Sequence, residues 1–416
     1  MTLLRLYNFF SNLLPLVANI KVPQLAFNKG LWFHAASVGE VNASLPLIQF
    51  FHNRFPDIPI LYTVMTKTGQ NRARTLLKFK CNTQVIPFPM DHPPSLKQIY
   101  KNFDPFALIV IETELWPNLT LLSQRFGVKS YLVNARLSQK TLPRYLLIKR
   151  IMSKVVNSFD LIFARYEEDK EKFLMLGAKP EKILTVGSLK YDIQLSSIAS
   201  SKRLKRSDLG YKDSDFIVVF GSIRSKEEDE IVEAIKKLDL HRHPDIKVIV
   251  APRHLDRAPH FASKLRDAGI KFVFRTQGFN PNGRILILDT IGELVAFYRI
   301  ADVAFVGGSL ANYGGHNILE PASCGVPVIF GPFVWNVRHE AKGLLLCKGG
   351  FLVKNADELA SLILRLRDDI STLIEAGINA EKFTREKAGV AKKIGQIIAK
   401  RVGLRPKIGF RIKPRD

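Results

Sequence analysis

Cysteine is scarce: Cys81, Cys324 and Cys347 are the only three in 416 residues. None belongs to a CxxC pair or stands at ligand spacing from a histidine, which argues against a structural zinc site and leaves free thiols in a reducing cytosol. Long apolar runs are missing too. The most apolar stretch, "MTLLRLYNFFSNLLPLVANIKV" (1–22), is broken by Arg5, Asn8, Asn12 and Pro15. It falls short of the roughly 20 clean apolar residues of a membrane span and carries no small-residue cleavage site. Its leucines and aromatics beside Arg5, Lys21 and Lys29 suit a helix lying in a membrane interface. No GxGxxG follows the first strand run of either half, no GK[ST] ends a glycine loop, and no DxD closes a strand run. Acidic residues are few, 38 against 62 Lys and Arg, for a formal charge of +24. Such a balance predicts attraction to polyanions: nucleic acid, an anionic membrane or a phosphorylated substrate. Nucleic-acid platforms interleave basic and aromatic residues. Here the basic residues are dispersed and the aromatics lie in strand runs, so no nucleic acid is expected as a partner.

What is present is an alternation. Short β-branched runs fall at 31–36, 60–66, 84–89, 107–112, 130–135, 161–166 and 183–188, with amphipathic patterns such as Val41–Arg54 and Glu168–Leu176 between them. A polar, serine-rich, basic stretch over 194–215 then reads as a linker. The alternation resumes at 216–222, 247–253, 271–275, 285–290, 303–309 and 327–332, and the tail over 376–402 is helical in pattern. The expectation is an α/β protein with two doubly wound domains facing a cleft: a membrane-associating segment over 1–29, a first domain over 30–193, a second over 216–402, and a basic tail over 403–416. Ligands of such sheets bind beyond the carboxyl ends of the strands, which singles out polar residues just after strand runs.

Glu40 is one of these. In "LWFHAASVGEVNASLPLIQFF" (31–51) it stands where a buried run breaks into a helical one. A carboxylate there is either a cap or a general base, and the helix N-terminus favours its deprotonated form. "IETELWPN" (111–118) places Glu112 and Glu114 two apart at a strand end; in an extended segment they share a side and need a cation, which Arg136 of "NARLS" (134–138) would supply. Lys190 of "GSLKYD" (187–192) follows another strand run. In the second half, Ser222 of "FGSIRSKEEDE" (220–230) stands at an expected helix start fit for phosphate, and Arg253 of "APRH" (251–254) has a fork that matches two phosphate oxygens. "TIGEL" (290–294) is a further strand-to-helix turn, equally readable as an ordinary cap. The densest stretch is "FVGGSLANYGGHNILEPASCGVPVIFGP" (305–332), whose glycine pairs admit close backbone approach to a ligand and whose Glu320 suits two ribose hydroxyls.

Taken in order, "SVGE", "TELWPN", "NARLS", "GSLK", "PRH", "GEL" and "FVGGS…GGHNxLEPA" resemble the motifs of 3-deoxy-D-manno-oct-2-ulosonic acid (Kdo) transferases, over about residues 31–395. The resemblance implies two Rossmann-like domains of the GT-B glycosyltransferase type, with the sugar nucleotide on the C-terminal one. It implies transfer of Kdo from CMP-Kdo to a lipid A precursor at the cytoplasmic face of the inner membrane. By this resemblance Glu40 is the base, and Glu114 and Lys190 match transition-state-stabilising positions. Pro252 and Arg253, the turn Ile291–Gly292–Glu293, and Asn317, Ile318, Leu319 and Glu320 match CMP-binding positions. Departing CMP needs its charge neutralised, which Arg253 and helix N-termini provide without a metal, so inverting transfer with no metal and no other cofactor is expected. The positive charge then reads as attraction to a phosphorylated glycolipid and an anionic membrane surface. The leader is shorter than in the family and lacks an "RWGERYG"-like segment, which favours surface association over insertion. Two further departures are Phe333 in "GPFVWNV" (331–337), where a histidine is usual, and Ile223–Arg224 in place of a threonine–histidine pair. A glycosyltransferase of this architecture with another nucleotide-sugar donor is the alternative; it gives no reason for "SVGE" with "TELWPN" and "NARLS".

Overall fold

The computed structural model describes residues 7, 22–78, 82–278 and 285–405. Of the interfacial helix expected over 1–22 only Tyr7 and Val22 are among the described residues, and most of the basic tail lies outside them; the rest of the segment expected to associate with a membrane, up to residue 29, is not helical and packs Val22, Leu25 and Phe27 on the first unit's core. The chain divides into two compact units: residues 1–193 with 388–416, and residues 194–387.

The first unit is built on a seven-stranded parallel sheet. Its strands are β1 (Gly30–Ala35), β2 (Ile60–Val64), β3 (Thr83–Pro87), β4 (Pro105–Ile111), β5 (Lys129–Ala135), β6 (Leu161–Ala164) and β7 (Ile183–Thr185), in the order β3-β2-β1-β4-β5-β6-β7. All seven expected runs are strands. They read as continuous apolar runs because helices cover both faces of the sheet. In β1, Trp32 enters one core with Leu108 and Leu132, while Leu31 and Phe33 enter the other with Tyr62 and Ile109. Trp32 is fully buried edge-on against Tyr100 at 4.8 Å. Burial of an aromatic side chain of this size contributes about 2–3 kcal/mol.

The second unit repeats the scheme. Strands β8 (Phe216–Ile223), β9 (Ile246–Pro252), β10 (Val273–Phe274), β11 (Ile285–Ile287), β12 (Val303–Val306), β13 (Val328–Phe330) and β14 (Gly350–Leu352) run in the order β10-β11-β9-β8-β12-β13-β14, all parallel. Strand β14 was not expected: a three-residue strand at the sheet edge, set off by glycine, carries too short a pattern to announce itself. In both sheets the winding reverses direction at the strand that opens the unit, between β1 and β4 and between β8 and β12. Crevices at these reversals are where doubly wound sheets bind ligands.

The C-terminus departs from the expected boundary at 402. Helix Ile370–Lys387 belongs to the second unit, but after Gly389 (φ +88°) helix Val390–Arg401 packs on the first. The Asp192 carboxylate accepts the N–H groups of Gly389, Val390 and Ala391 at 3.0, 3.1 and 3.3 Å. It thereby satisfies donors that a helix N-terminus leaves open. Ile394 and Ile398 are buried in the core that holds Val41 and Ile48, and Gly395 lies on the Phe50 ring, where a Cβ would come within 2.2 Å. The serine-rich stretch read as a linker is partly ordered as well: helix Lys190–Ser200 runs into it, and a 3-10 turn spans Arg206–Leu209.

Candidate active site

At the end of β1, Ser37 caps helix Val38–Arg54, its Oγ accepting the Glu40 N–H at 3.4 Å. Glu40 turns back: Oε2 accepts the Ala36 N–H at 2.5 Å and Oε1 accepts the Ser37 hydroxyl at 3.3 Å. These bonds favour the carboxylate, as expected of a helix N-terminus. Burial opposes them more strongly, and the charges of Glu114 and Glu112 add to it, so the Glu40 carboxyl is pushed up to about 7. The helix N-terminus favours the deprotonated form, as expected, but burial and the neighbouring carboxylates outweigh it and raise the group toward neutrality.

Glu112 and Glu114 do not share an extended face. Glu112 adopts φ +61°, and the chain turns there. Its Oε2 pairs with Arg136 Nε at 2.6 Å and its Oε1 accepts from Asn134 Nδ2 at 3.2 Å. Asn134, itself at φ +56°, accepts the Leu189 N–H through Oδ1 at 3.2 Å. Arg136, Glu112 and Asn134 thus tie the ends of β4 and β5 to the "GSLK" turn, whose last residue, Lys190, opens helix Lys190–Ser200. Arg136 supplies the cation that the sequence called for, and its role is structural.

Glu114 is directed elsewhere. It accepts Trp116 Nε1–H at 2.7 Å and stands 3.8 Å from Nε2 of the fully buried His34. The His34 ring leans on Phe88 at 4.1 Å, and Phe88 on Trp116 at 5.5 Å. A further carboxylate, unforeseen in the sequence, shapes this end of the sheet. Asp91 (φ +57°) is fully buried and accepts the N–H groups of Asn118 and Leu119 at 2.9 and 2.7 Å, and the Tyr7 hydroxyl at 2.8 Å. It fixes the start of helix Pro117–Arg125 directly after Trp116.

In the second unit, Pro252 ends β9 and Arg253 follows it, exposed, its N–H on the Ile223 carbonyl at 2.8 Å. Asn317 holds Glu320: its Nδ2 donates to Oε1 at 3.1 Å, while its Oδ1 accepts the Leu319 N–H. Ile318 and Leu319 are buried beneath them. Burial pushes Glu320 up, while Asn317 and the charge of Arg253 pull it down, so Arg253 and Glu320 share one electrostatic neighbourhood. His316, beside them, is held down to about 4 by burial and by Arg253, Arg224 and His254. These residues form one cluster.

One expectation is revised here. Ser222 does not open a helix: it sits at φ +58° in a bulge of β8, and the α-helix starts only at Glu228. Glu293 is not a free carboxylate, since it accepts from Thr290 Oγ1 at 2.6 Å and pairs with Arg275 at 3.2 Å. Those bonds outweigh burial and keep it low. They hold the turn so that Gly292 takes φ +88° and Ile291 is exposed.

The residue the sequence did not reveal is Glu227. It is fully buried and accepts Gly308 N–H at 2.6 Å, Ser309 N–H at 2.8 Å and Leu310 N–H at 2.7 Å, as well as Arg224 N–H at 3.1 Å. The glycine loop after β12 is therefore folded around the carboxyl oxygens of Glu227. Its far end is held by "GPFVWNV": the Phe333 N–H donates to the Ser309 carbonyl, and Gly314 (φ +94°) meets Trp335 so closely that a Cβ would lie 2.5 Å from the indole. In sequence the only hint was a pair of glutamates one turn beyond a strand, which reads as a solvated cap.

A family model described as "3-Deoxy-D-manno-octulosonic-acid transferase (kdotransferase)" matches residues 14–193, ending where the first unit gives way to the second. The 3-deoxy-D-manno-octulosonic acid transferase of Aquifex aeolicus is 34% identical over 361 residues, 86% of this chain and 90% of that protein. This chain belongs to the 3-deoxy-D-manno-octulosonic acid transferase family. The Haemophilus influenzae Kdo transferase is 31% identical over 389 residues, 92% of this chain and 85% of that one. A Fusobacterium nucleatum bifunctional glycosyltransferase/methyltransferase is 34% identical over 344 residues, 82% of this chain; the chain spans about half, 53%, of that longer relative. Among solved structures, UDP-GlcNAc 2-epimerase of Neisseria meningitidis, bound to UDP-GlcNAc, superposes with a TM-score of 0.64 at 14% identity, over 89% of this chain and all of that one. An Anabaena protein in complex with UDP gives 0.55 at 16% identity, over 90% of this chain and 99% of that one. These likenesses establish the fold of this Kdo transferase family member: two parallel-sheet α/β domains of the GT-B type. Among the described residues no helix is long and apolar enough to cross a membrane.

Proposed function

We propose that this chain transfers Kdo from CMP-Kdo to a hydroxyl of a lipid A precursor in lipopolysaccharide biosynthesis, at the inner face of the cell membrane. The acceptor oxygen attacks the anomeric carbon and its proton passes to a Glu40 oxygen. The bond from that carbon to the phosphate oxygen breaks, and CMP leaves with the electron pair. A single displacement of this kind inverts the anomeric centre. Glu114 and Lys190 stabilise charge developing around the attacking hydroxyl. In the second unit, Glu320 takes the ribose hydroxyls, Arg253 takes the phosphate, and the exposed turn at Ile291–Gly292 takes the cytosine side.

The observation that carries this reading is the Glu40 carboxyl at the reversal of the first sheet, pushed up to about 7 by burial and by Glu114 and Glu112. Such a value suits a base that must take and release a proton near neutrality; burial raises the buried cap Asp91 as far, so it is the place of Glu40 just beyond β1, with Glu114 and Glu112 near it, that supports the reading. The family membership supports Kdo as the transferred group, and the high positive charge suits a phosphorylated glycolipid on an anionic surface.

The test is one reaction. Full-length protein is incubated with a lipid A precursor and freshly generated CMP-Kdo in excess chelator, and the glycolipid is weighed by mass spectrometry. Increments of one Kdo residue are the expected result. Unchanged glycolipid with a folded protein, but product from another nucleotide sugar, would replace the donor.

A further inference from the structure

Arg224 is where the chain leaves the family's pattern, and its surroundings give that departure a purpose. Strands β8 and β9 are neighbours in register, Gly221 opposite Ala251 and Ile223 opposite Pro252, so Arg224 and Arg253 emerge side by side at one end of the sheet. Arg253 acts on the charge of Glu320, and among the described residues neither guanidinium stands within ion-pair distance of a protein carboxylate. Both nonetheless act on His316, whose buried Nε2 has no hydrogen-bond partner among the described residues. Lys226 adds a further positive charge beside Tyr313. Cations gathered this way repel one another unless an anion completes the set.

The two arginines are held differently. Arg253 is coupled to Glu320, the residue read as the ribose acceptor, and so keeps company with the nucleotide. Arg224 lies over Tyr313, its guanidinium carbon 4.3 Å from the ring centroid, with Nη1 2.8 Å from His254 Nε2. Tyr313 is tied in turn to Ser225, hydroxyl to hydroxyl, at 3.2 Å. With its carbon over the ring and Nη1 engaged by His254, the guanidinium leaves its Nε–Nη2 edge as a two-pronged donor. Such an edge matches the two oxygens of a carboxylate as it does those of a phosphate.

We infer that Arg224, set by Tyr313 and His254, binds the carboxylate of the donor's acidic sugar and discriminates it from neutral sugars. The inference rests on the donor proposed above, which carries two anions, a phosphodiester and a sugar carboxylate; Arg253 serves the first and Arg224 the second.

The experiment compares CMP, which lacks the sugar carboxylate, with CMP-Kdo on the full chain. CMP affinity is measured by calorimetry, and CMP-Kdo saturation by initial rates. Arg224→Gln is expected to raise the KM for CMP-Kdo about tenfold or more, with CMP affinity unchanged within about twofold. Arg224→Lys, which keeps the charge but loses the fork, gives the same ordering with a smaller change. Equal losses for CMP and CMP-Kdo would make Arg224 a phosphate ligand, and no change in either would make it a bystander; both overturn the assignment alone. Wild-type protein that binds neither compound overturns the donor reading and this assignment with it.

Discussion

Glu40 Oε2 accepts the backbone N–H of Ala36, four residues back, at 2.5 Å. The side chain is thereby bent toward the end of β1, where its charge meets those of Glu114 and Glu112. Because the base works deprotonated, kcat/KM is expected to rise with pH through about 7 and level above it. Glu40→Gln should lower kcat by roughly 10²–10⁴ with the fold intact. Melting curves and pH–rate profiles of both proteins check this; a mutant with normal turnover would return Glu40 to a capping role.

Glu227 offers the opposite case, a carboxylate that never meets substrate. In Glu227→Ala the Gly308, Ser309 and Leu310 N–H groups lose their acceptor. Leaving buried donors unsatisfied costs on the order of 1–3 kcal/mol. The melting temperature should fall, and CMP affinity should fall at least about tenfold as the loop loosens. Calorimetric titration with CMP after a thermal melt reads both; unaltered affinity would detach the loop from donor binding.

Asp91 predicts a pH dependence of stability. Burial pushes it up to about 7, against the pull of Asn118, Tyr7 and Leu119. Its folded-state value thus lies above its ordinary one. The proton-linked stabilisation is complete below about pH 4 and is lost as pH rises through 7. Glu40, raised in the same sense, adds to the slope. Urea midpoints should therefore fall between pH 5.5 and 8 through these two groups, and Asp91→Asn should flatten the fall. A slope unaltered by the mutation would place the titration elsewhere.

Asp192 pins the returning helix. Asp192→Ala removes the acceptor for three N–H groups at the start of Val390–Arg401, a loss of about 1–2 kcal/mol for a capping residue. Hydrogen exchange should show faster opening in residues 390–401 than in β1, and uniform exchange would show the cap to be idle.

Much of the fold was legible because parallel strands buried on both faces are written as apolar runs, "ALIVIE" and "FIVVFGS" among them. Glu40, Glu114 and Arg253 drew attention because each stands just beyond such a run, and Glu320 because it follows the glycine pairs after β12. What stayed hidden depends on backbone turns and long-range partners. Glu112 and Glu114 read as a pair until φ +61° at Glu112 separates them. Ser222 read as a cap because a bulge in β8 leaves no sequence mark. Asp91 sits in "PFPMDHPP" without strand or helix pattern, and its partners lie 27 and 28 residues away. Glu227 resembles any solvated first-turn glutamate until the loop 81–83 residues later closes over it.

The return of Val390–Arg401 to the first unit makes residues 194–387 an insertion within it. Synthesis then imposes an order. The whole second unit leaves the ribosome before the helix that covers Val41, Ile48 and Phe50 exists. The earlier unit to be translated is the later one to be completed, and its face waits uncovered for some 200 residues of synthesis, about 10–40 s at typical elongation rates. A chaperone that shields apolar surface has its client window there, and a ribosome stalled just before residue 390 leaves a finished second unit tethered to an unfinished first.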